Sequence, residues 1–277
     1  GHAKTGIDAR TGTLLLDPKN ITIADTTVYN ASSYMIGAGF TDTNDLNLSD
    51  PDSGADGENG HASFDITDSS SYNYNTKFYG HSVALDGKWL AVGGHQVTSP
   101  LGISKTGVVH VYSYSDNAFS GGQLQAIITD FSSKVGNDLD QSLEENDQFG
   151  SGVALLGGRL AVGARGDRGS GNSRSTSGAV YLYSFTDSSF SGAALQAIIG
   201  HGYTGGKNVS QGLDTSDYFG FGISLDGNRL AVGAPFGDGY NNGRSSSGEV
   251  YLYTAESSSD SVSSAVFATN SSSDSTI

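Results

Sequence analysis

Apolar and polar residues alternate along this chain in short runs, and the runs come in sets of four divided by turn-forming residues. In mid-chain the set is Ser151 to Leu156 (SGVALL), Arg159 to Ala164 (RLAVGA), Ala179 to Phe185 (AVYLYSF) and Leu195 to Ile199 (LQAII). Two of the four alternate with the period of two that puts successive side chains on opposite faces of a half-buried strand. Gly157-Gly158 separates the first pair, and Asp86-Gly87 and Asp226-Gly227 stand at the corresponding places elsewhere. Such dipeptides supply the positive φ of a tight hairpin, so each set predicts a four-stranded antiparallel unit. Gly and Ala in the first two strands permit close approach of sheets, while Tyr and Val in the third supply packing volume.

The sets repeat. FYGHSVALDGKWLAVGGHQV, QFGSGVALLGGRLAVGARGD and YFGFGISLDGNRLAVGAPFG align with Gly80, Gly150 and Gly220 at intervals of 70. GVVHVYSY, GAVYLYSF and GEVYLYTA follow from Gly107, Gly178 and Gly248, at intervals of 71 and 70. FSGGQLQAIITD and FSGAALQAIIG complete the first two copies, and SVSSAVFAT is a degenerate third. A four-stranded unit recurring at a fixed period describes a β-propeller blade. The expected fold is all-β, a β-propeller-like array of four-stranded antiparallel blades: three clear repeats plus a divergent N-terminal unit.

These residues resemble the FG-GAP repeat family: Phe149-Gly150 and Phe219-Gly220 match its opening pair, Tyr79-Gly80 varies it, and Gly233-Ala234-Pro235 matches its second motif. The resemblance covers roughly residues 77 to 255 and implies a propeller in an extracellular or surface protein, often adhesive, as in the integrin α-subunit head. The integrin-type calcium loop is not carried over, because the first two strands are joined here by a two-residue turn.

Three blades are fewer than the four to eight with which propellers close. Residues 77–147, 148–217 and 218–269 are read as the blades, 270–277 as a polar tail, and 1–76 as a divergent segment that closes the ring or donates a strand. Leu14, Leu15, Leu16, Ile21 and Ile23 are its assembly candidates, in a strand that pairs with the weak third copy or with a neighbouring molecule. The opening GIDARTGTLLLDPKNITI looks like segments of filamentous haemagglutinin-like exoproteins, which implies secretion from a Gram-negative bacterium. A chain starting Gly1-His2-Ala3 is expected for a processed product or a slice of a longer protein.

Composition supports this picture. Glycine contributes 40 of 277 residues, and there is no cysteine, so no disulfide or thiolate site. The formal net charge of -15 argues against nucleic acid and against an anionic membrane surface, both of which call for Lys/Arg clusters. No apolar run approaches the ~18 residues of a membrane-spanning helix.

Candidate chemistry is sparse. Asp50, Asp52, Asp56 and Glu58 offer hard oxygens; a solvated acidic loop is the plainer reading and a calcium site the alternative, with no other cofactor implied. Asp147 and Asp217 stand two residues before the Phe-Gly pairs and are expected to bond turn amides. Gly200 to Gly206 fits G-x-G-x-x-G, but no helical pattern follows, so it reads as an inter-blade loop. His110 stands where the later copies have Tyr181 and Tyr251 and reads as a packing variant. The five N-x-Ser/Thr sequons, Asn208 among them, read as chance matches. Arg165-Gly166-Asp167 spells an integrin-recognition tripeptide, although it sits where the third copy has a Gly-Ala-Pro loop, and a surface position is expected.

No nucleophile elbow or metal-ligand histidine spacing appears. The sequence therefore predicts a non-enzymatic, secreted or cell-surface structural or adhesive protein, self-assembling into filaments by β-strand complementation. The alternatives are a propeller module that binds glycan or protein, with loop aromatics for sugar stacking, and a carboxylate-dependent glycoside hydrolase.

Overall fold

The computed structural model describes residues 78–131, 136–186 and 190–255, with the strand backbone at 12–16, 19–23, 36–37, 46–47, 256–257 and 265–269. The chain divides into Gly1–Tyr34 and Met35–Ile277. In the first unit β1 (Gly12–Leu16) pairs antiparallel with β2 (Lys19–Ile23). The segment expected as a single closing strand is thus two strands of a hairpin, with Pro18, which has no amide to donate, falling between them.

In the second unit β3 (Ile36–Gly37) and β4 (Leu46–Asn47) pair in parallel, and three larger sheets follow. Sheet I holds β5 (Tyr79–Asp86), β6 (Trp89–Gly94), β7 (Val108–Ser113), β8 (Gln123–Thr129) and β9 (Leu139–Asp140) in that order. Sheet II repeats it with β10 (Phe149–Leu156), β11 (Arg159–Ala164), β12 (Ala179–Ser184), β13 (Ala194–Gly200) and β14 (Val209–Ser210). Sheet III holds β15 (Gly222–Asp226), β16 (Arg229–Ala234), β17 (Glu249–Ser257) and β18 (Ala265–Thr269), the last being the degenerate third copy. The described residues include no α-helix, and the fold is all-β as expected. Sheets I and II each add a short fifth strand in parallel, which the four-strand expectation lacked.

The hairpins lie one residue further on than expected in two copies. Asp86 pairs with Trp89 and Asp226 with Arg229, so the turns are Gly87-Lys88 and Gly227-Asn228. Gly87 (φ 56°) and Gly227 (φ 57°) take the left-handed first position, where a side chain would be strained.

Sheet II shows why its strands are apolar on both faces. Along β12, Tyr181 and Tyr183 enter the cluster shared with Val109, Val111 and Ile128 of sheet I. Val180 and Leu182 alternate to the other side and enter the cluster shared with Leu230 and Val232 of sheet III. Each such side chain contributes roughly 1.5–3 kcal/mol on burial. β10 packs against β5 and β6 on one side and β15 on the other, so the first strands of the sheets lie side by side, the arrangement of propeller blades.

The Phe-Gly pair has a physical explanation. Phe149 is buried edge-on against Tyr181 and Tyr183 of its own sheet, and Phe219 against Tyr251 and Tyr253. The glycine faces the preceding sheet: a Cβ on Gly150 would lie 2.5 Å from Val108 O, and one on Gly220 would lie 2.6 Å from Ala179 O. Only a bare backbone fits there.

Bulges recur at equivalent places in β8 and β13, where the register shifts. Ile127 N donates to Asp138 Oδ1 and Ile198 N to Asn208 Oδ1, both at 2.8 Å. Asn208 therefore gives the Ile198 amide an acceptor just ahead of the β13–β14 pairing.

Candidate functional site

The loop from Gly163 to Gly169 carries the tripeptide, and it proves to be a blade turn. Asp167 N donates to Ala164 O at 3.1 Å and Gly178 N to Asp167 O at 2.9 Å. Val97 makes the same two bonds in sheet I, with Gly94 O and Gly107 N, and Gly237 makes them in sheet III, with Ala234 O and Gly248 N. Three sequences thus adopt one backbone, and Arg165, Gly166 and Asp167 are the second copy of it.

The expected surface display is not what the structure shows. Asp167 is 2% exposed. Its carboxylate accepts from Tyr181 Oη (2.8 Å), Tyr203 Oη (2.9 Å) and Gly169 N (2.7 Å). Gly166 N donates to Asp147 O, and a Cβ on Gly166 would lie 1.9 Å from Asn146 O, so that residue is pressed against neighbouring backbone. Arg165 also turns inward: Nε donates to Gln148 Oε1 at 2.7 Å, Nη2 to His95 Nε2 at 3.0 Å, and the guanidinium lies 5.1 Å from the centroid of the Phe221 ring. One side chain therefore ties the loop after β6 to the segments that lead into β10 and β15. The strand geometry that builds the blade places its loop residues against the next blade, which consumes the groups an integrin would need.

Electrostatics follow from this enclosure. Burial pushes the Asp147 carboxyl up to about 7, with the Asp167 charge as the second cause. Burial also raises Asp167, against the pull of its hydrogen bonds from Gly169, Tyr181 and Tyr203. His95 is lowered to about 3 by burial, then by Arg165 and His81, so it remains a neutral acceptor. The turn role expected for the acids is present: Asp147 Oδ2 accepts from Glu144 N, and Asp217 Oδ2 from Asp214 N, each at 2.7 Å.

Each copy gives its strand tyrosine a buried or half-buried hydrogen-bond partner, but a different one. In sheet III Gly237 replaces Asp167, and a Cβ there would lie 2.7 Å from Glu249 Oε2, the carboxylate that accepts from Tyr251 Oη. The acid has moved from loop to strand. In sheet I Val97 replaces it, and His110 joins Tyr79 and Tyr112, with Tyr79 Oη 2.7 Å from Tyr112 Oη and 3.1 Å from His110 Nδ1. His110 is the packing variant expected.

The remaining candidates are placed simply. Gly200 ends β13 and the glycine-rich stretch is the loop to β14, with no helix to face a phosphate. Asp50, Asp52, Asp56 and Glu58 lie outside the described residues. Leu14, Leu15, Leu16, Ile21 and Ile23 lie in β1 and β2, of which the backbone alone is described. Among the described residues no three acidic or histidine side chains converge to hold a metal, and no helix is long and apolar enough to cross a membrane. Sequence reasoning missed His95, Gln148 and Tyr203. The repeat held a signal for the first, since His95, Arg165 and Pro235 share one position.

No curated protein matches the chain. Residues 142–183 and 209–253 match the FG-GAP repeat model. These segments span β10 to β12 and β14 to β17, while sheet I, with Tyr79 for Phe and Gly94 for Ala, repeats the geometry outside them. The match does not reach the opening segment, so the haemagglutinin likeness receives no support from it. The matched repeats, with the backbone common to all three sheets, support reading this chain as an FG-GAP repeat protein.

Proposed function

We propose that this is a non-catalytic structural or adhesive module of a secreted or cell-surface bacterial protein, one that self-associates and acts through its blade faces. The observation that carries the reading is the use made of its ionisable groups. Arg165, Asp147 and Asp167 are spent on holding blades and turns together, whereas large apolar side chains, Val83, Leu85, Val250 and Leu252 among them, stand exposed on sheet faces. A glycoside hydrolase needs two carboxyls open to substrate, and Asp147 and Asp167 are not such groups, being 4% and 2% exposed. Electron microscopy and sedimentation of the purified chain test the reading: assemblies that grow with concentration support it, and dispersed monomers that bind no cell or matrix surface overturn it.

A second reading has its own observation. Tyr240 is 91% exposed beside Asn241 and Asn242 in the loop before β17, an aromatic face with amide neighbours of the kind that stacks on sugars. Saturable glycan binding by the monomer, lost in Tyr240→Ala, would favour a glycan-binding module.

A further inference from the structure

We infer that sheet III ends in a vacant seat for a Phe-Gly-type strand, and that its occupant is Tyr79-Gly80 at the start of sheet I in a second copy of this chain. The inference deepens the self-association proposed above by naming its surface.

The seat is defined by the two junctions already filled. Gly93 and Gly107 of sheet I receive the Phe149-Gly150 backbone: a Cβ on them would lie 2.3 Å from Gly150 O and 1.9 Å from Phe149 O. Gly163 and Gly178 of sheet II receive Phe219-Gly220 in the same way, at 1.9 Å from Gly220 O and 2.1 Å from Phe219 O. Two amides close each junction. Gln148 N and Phe149 N donate to Lys105 O and Thr106 O, and Tyr218 N and Phe219 N to Thr176 O and Ser177 O, all at 2.8–3.1 Å.

Sheet III keeps the glycines and backbone of this seat, while Gly222 and Phe221 stand where Ser82 and Ser151 donate to Gly150 O and Gly220 O at the filled junctions. Gly233 and Gly248 are the equivalent glycines, yet among the described residues a Cβ on Gly233 would meet nothing nearer than 3.8 Å, and one on Gly248 meets only its own blade, at 3.3 Å from Pro235 O. Ser246 holds φ 52°, as Lys105 does at 52° and Thr176 at 50°, so the carbonyls are presented in the receiving conformation. A groove lined by Phe221, Gly222, Gly233, Pro235, Gly248 and Val250 lies where the strand would rest. The face beyond it is bare: Val250 and Leu252 are 70% and 72% exposed, while Val180 and Leu182, their counterparts in sheet II, are 0% and 5% exposed beneath sheet III.

The matching knob is in the same chain. Gly80 has φ 81°, like Gly150 and Gly220, but among the described residues nothing lies within 4 Å of the position of its Cβ. Val83 and Leu85 are 63% and 55% exposed, where Val153 and Leu155 of β10 are 7% and 8% exposed against sheet I. Among the described residues, both halves of the inter-blade junction are thus present once each and unmatched, one on sheet I and the other on sheet III. Joining them continues an interface the molecule already contains twice. The contact is head-to-tail, so it propagates unless a ring closes.

The test uses the full chain and two variants at exposed positions, Leu252→Glu on the seat and Leu85→Glu on the knob, each checked for unchanged thermal unfolding. Sedimentation should show the native chain growing beyond a monomer with concentration and each variant alone remaining monomeric. An equimolar mixture, which retains one intact junction, should stop at two chains. A native chain that stays monomeric at its solubility limit overturns the inference together with self-association. Variants that assemble as the native chain does overturn this interface while leaving self-association standing, and a mixture that forms no two-chain species overturns the head-to-tail pairing.

Discussion

Arg165 and His95 occupy the same position of successive repeats, and they touch: Arg165 Nη2 lies 3.0 Å from His95 Nε2. A guanidinium only donates, so the imidazole accepts and stays neutral. The repeat thereby joins its own copies, with Gln148 and Phe221 completing the tie. Arg165→Ala should lower stability by about 1.5–3 kcal/mol, measured by denaturant unfolding. Arg165→Lys should recover only part, because one ammonium cannot span Gln148 and His95 while stacking on Phe221. NMR titration should find the His95 pKa, held at about 3, rising in Arg165→Ala as the neighbouring charge is removed.

Stability should depend on pH through Asp147. Its folded pKa of about 7 lies above the ordinary 3.8. Between those values the native state holds a proton that the unfolded chain has released, so this group's contribution is fully present below the lower value and is lost as pH rises through the upper one. Asp147→Asn keeps an oxygen for Glu144 N and should flatten the decline between about pH 4 and about pH 7. Urea midpoints across that range provide the check; a slope unchanged by the substitution would refute the assignment.

Equivalent glycines should respond unequally. Gly163→Ala drives a methyl group into Gly220 O and should cost at least about 1–3 kcal/mol. Gly233→Ala meets, among the described residues, only ordinary contact with Gly222 at 3.8 Å and should stay within about 0.5 kcal/mol. Thermal unfolding of the two variants compares a filled junction with a vacant one.

The tripeptide should be silent in the folded protein. Asp167→Ala leaves Tyr181 Oη, Tyr203 Oη and Gly169 N without their acceptor and should cost about 1–3 kcal/mol. Cell attachment to the immobilised native chain should be unaffected by a free Arg-Gly-Asp peptide, whereas attachment to the unfolded chain should be inhibited by it. Inhibition on the native chain would show that the loop opens.

The blades were legible because each depends on local, periodic information. Alternation sets which face a residue takes, Gly at the hairpin supplies a left-handed φ, and the 70-residue interval reveals equivalence before any contact is known. Even the turn role of Asp147 and Asp217 follows from their offset to Phe-Gly. The failures are of another kind. Whether Asp86-Gly87 or Gly87-Lys88 forms the turn depends on register, which pairing with β6 decides, and a two-residue parallel strand such as β14 has no pattern of its own.

The sequence by itself determined the all-β class, the repeat and the equivalence of Val97, Asp167 and Gly237, since these depend on period and residue type. Only the tertiary structure decided what that position does. Burial turned Asp167 from a display residue into an acceptor for two tyrosines, and the approach of neighbouring sheets gave Gly163 a backbone to receive while leaving Gly233 with none among the described residues. Such distinctions arise between residues far apart in the chain, where desolvation and close contact act and sequence spacing carries no trace of them.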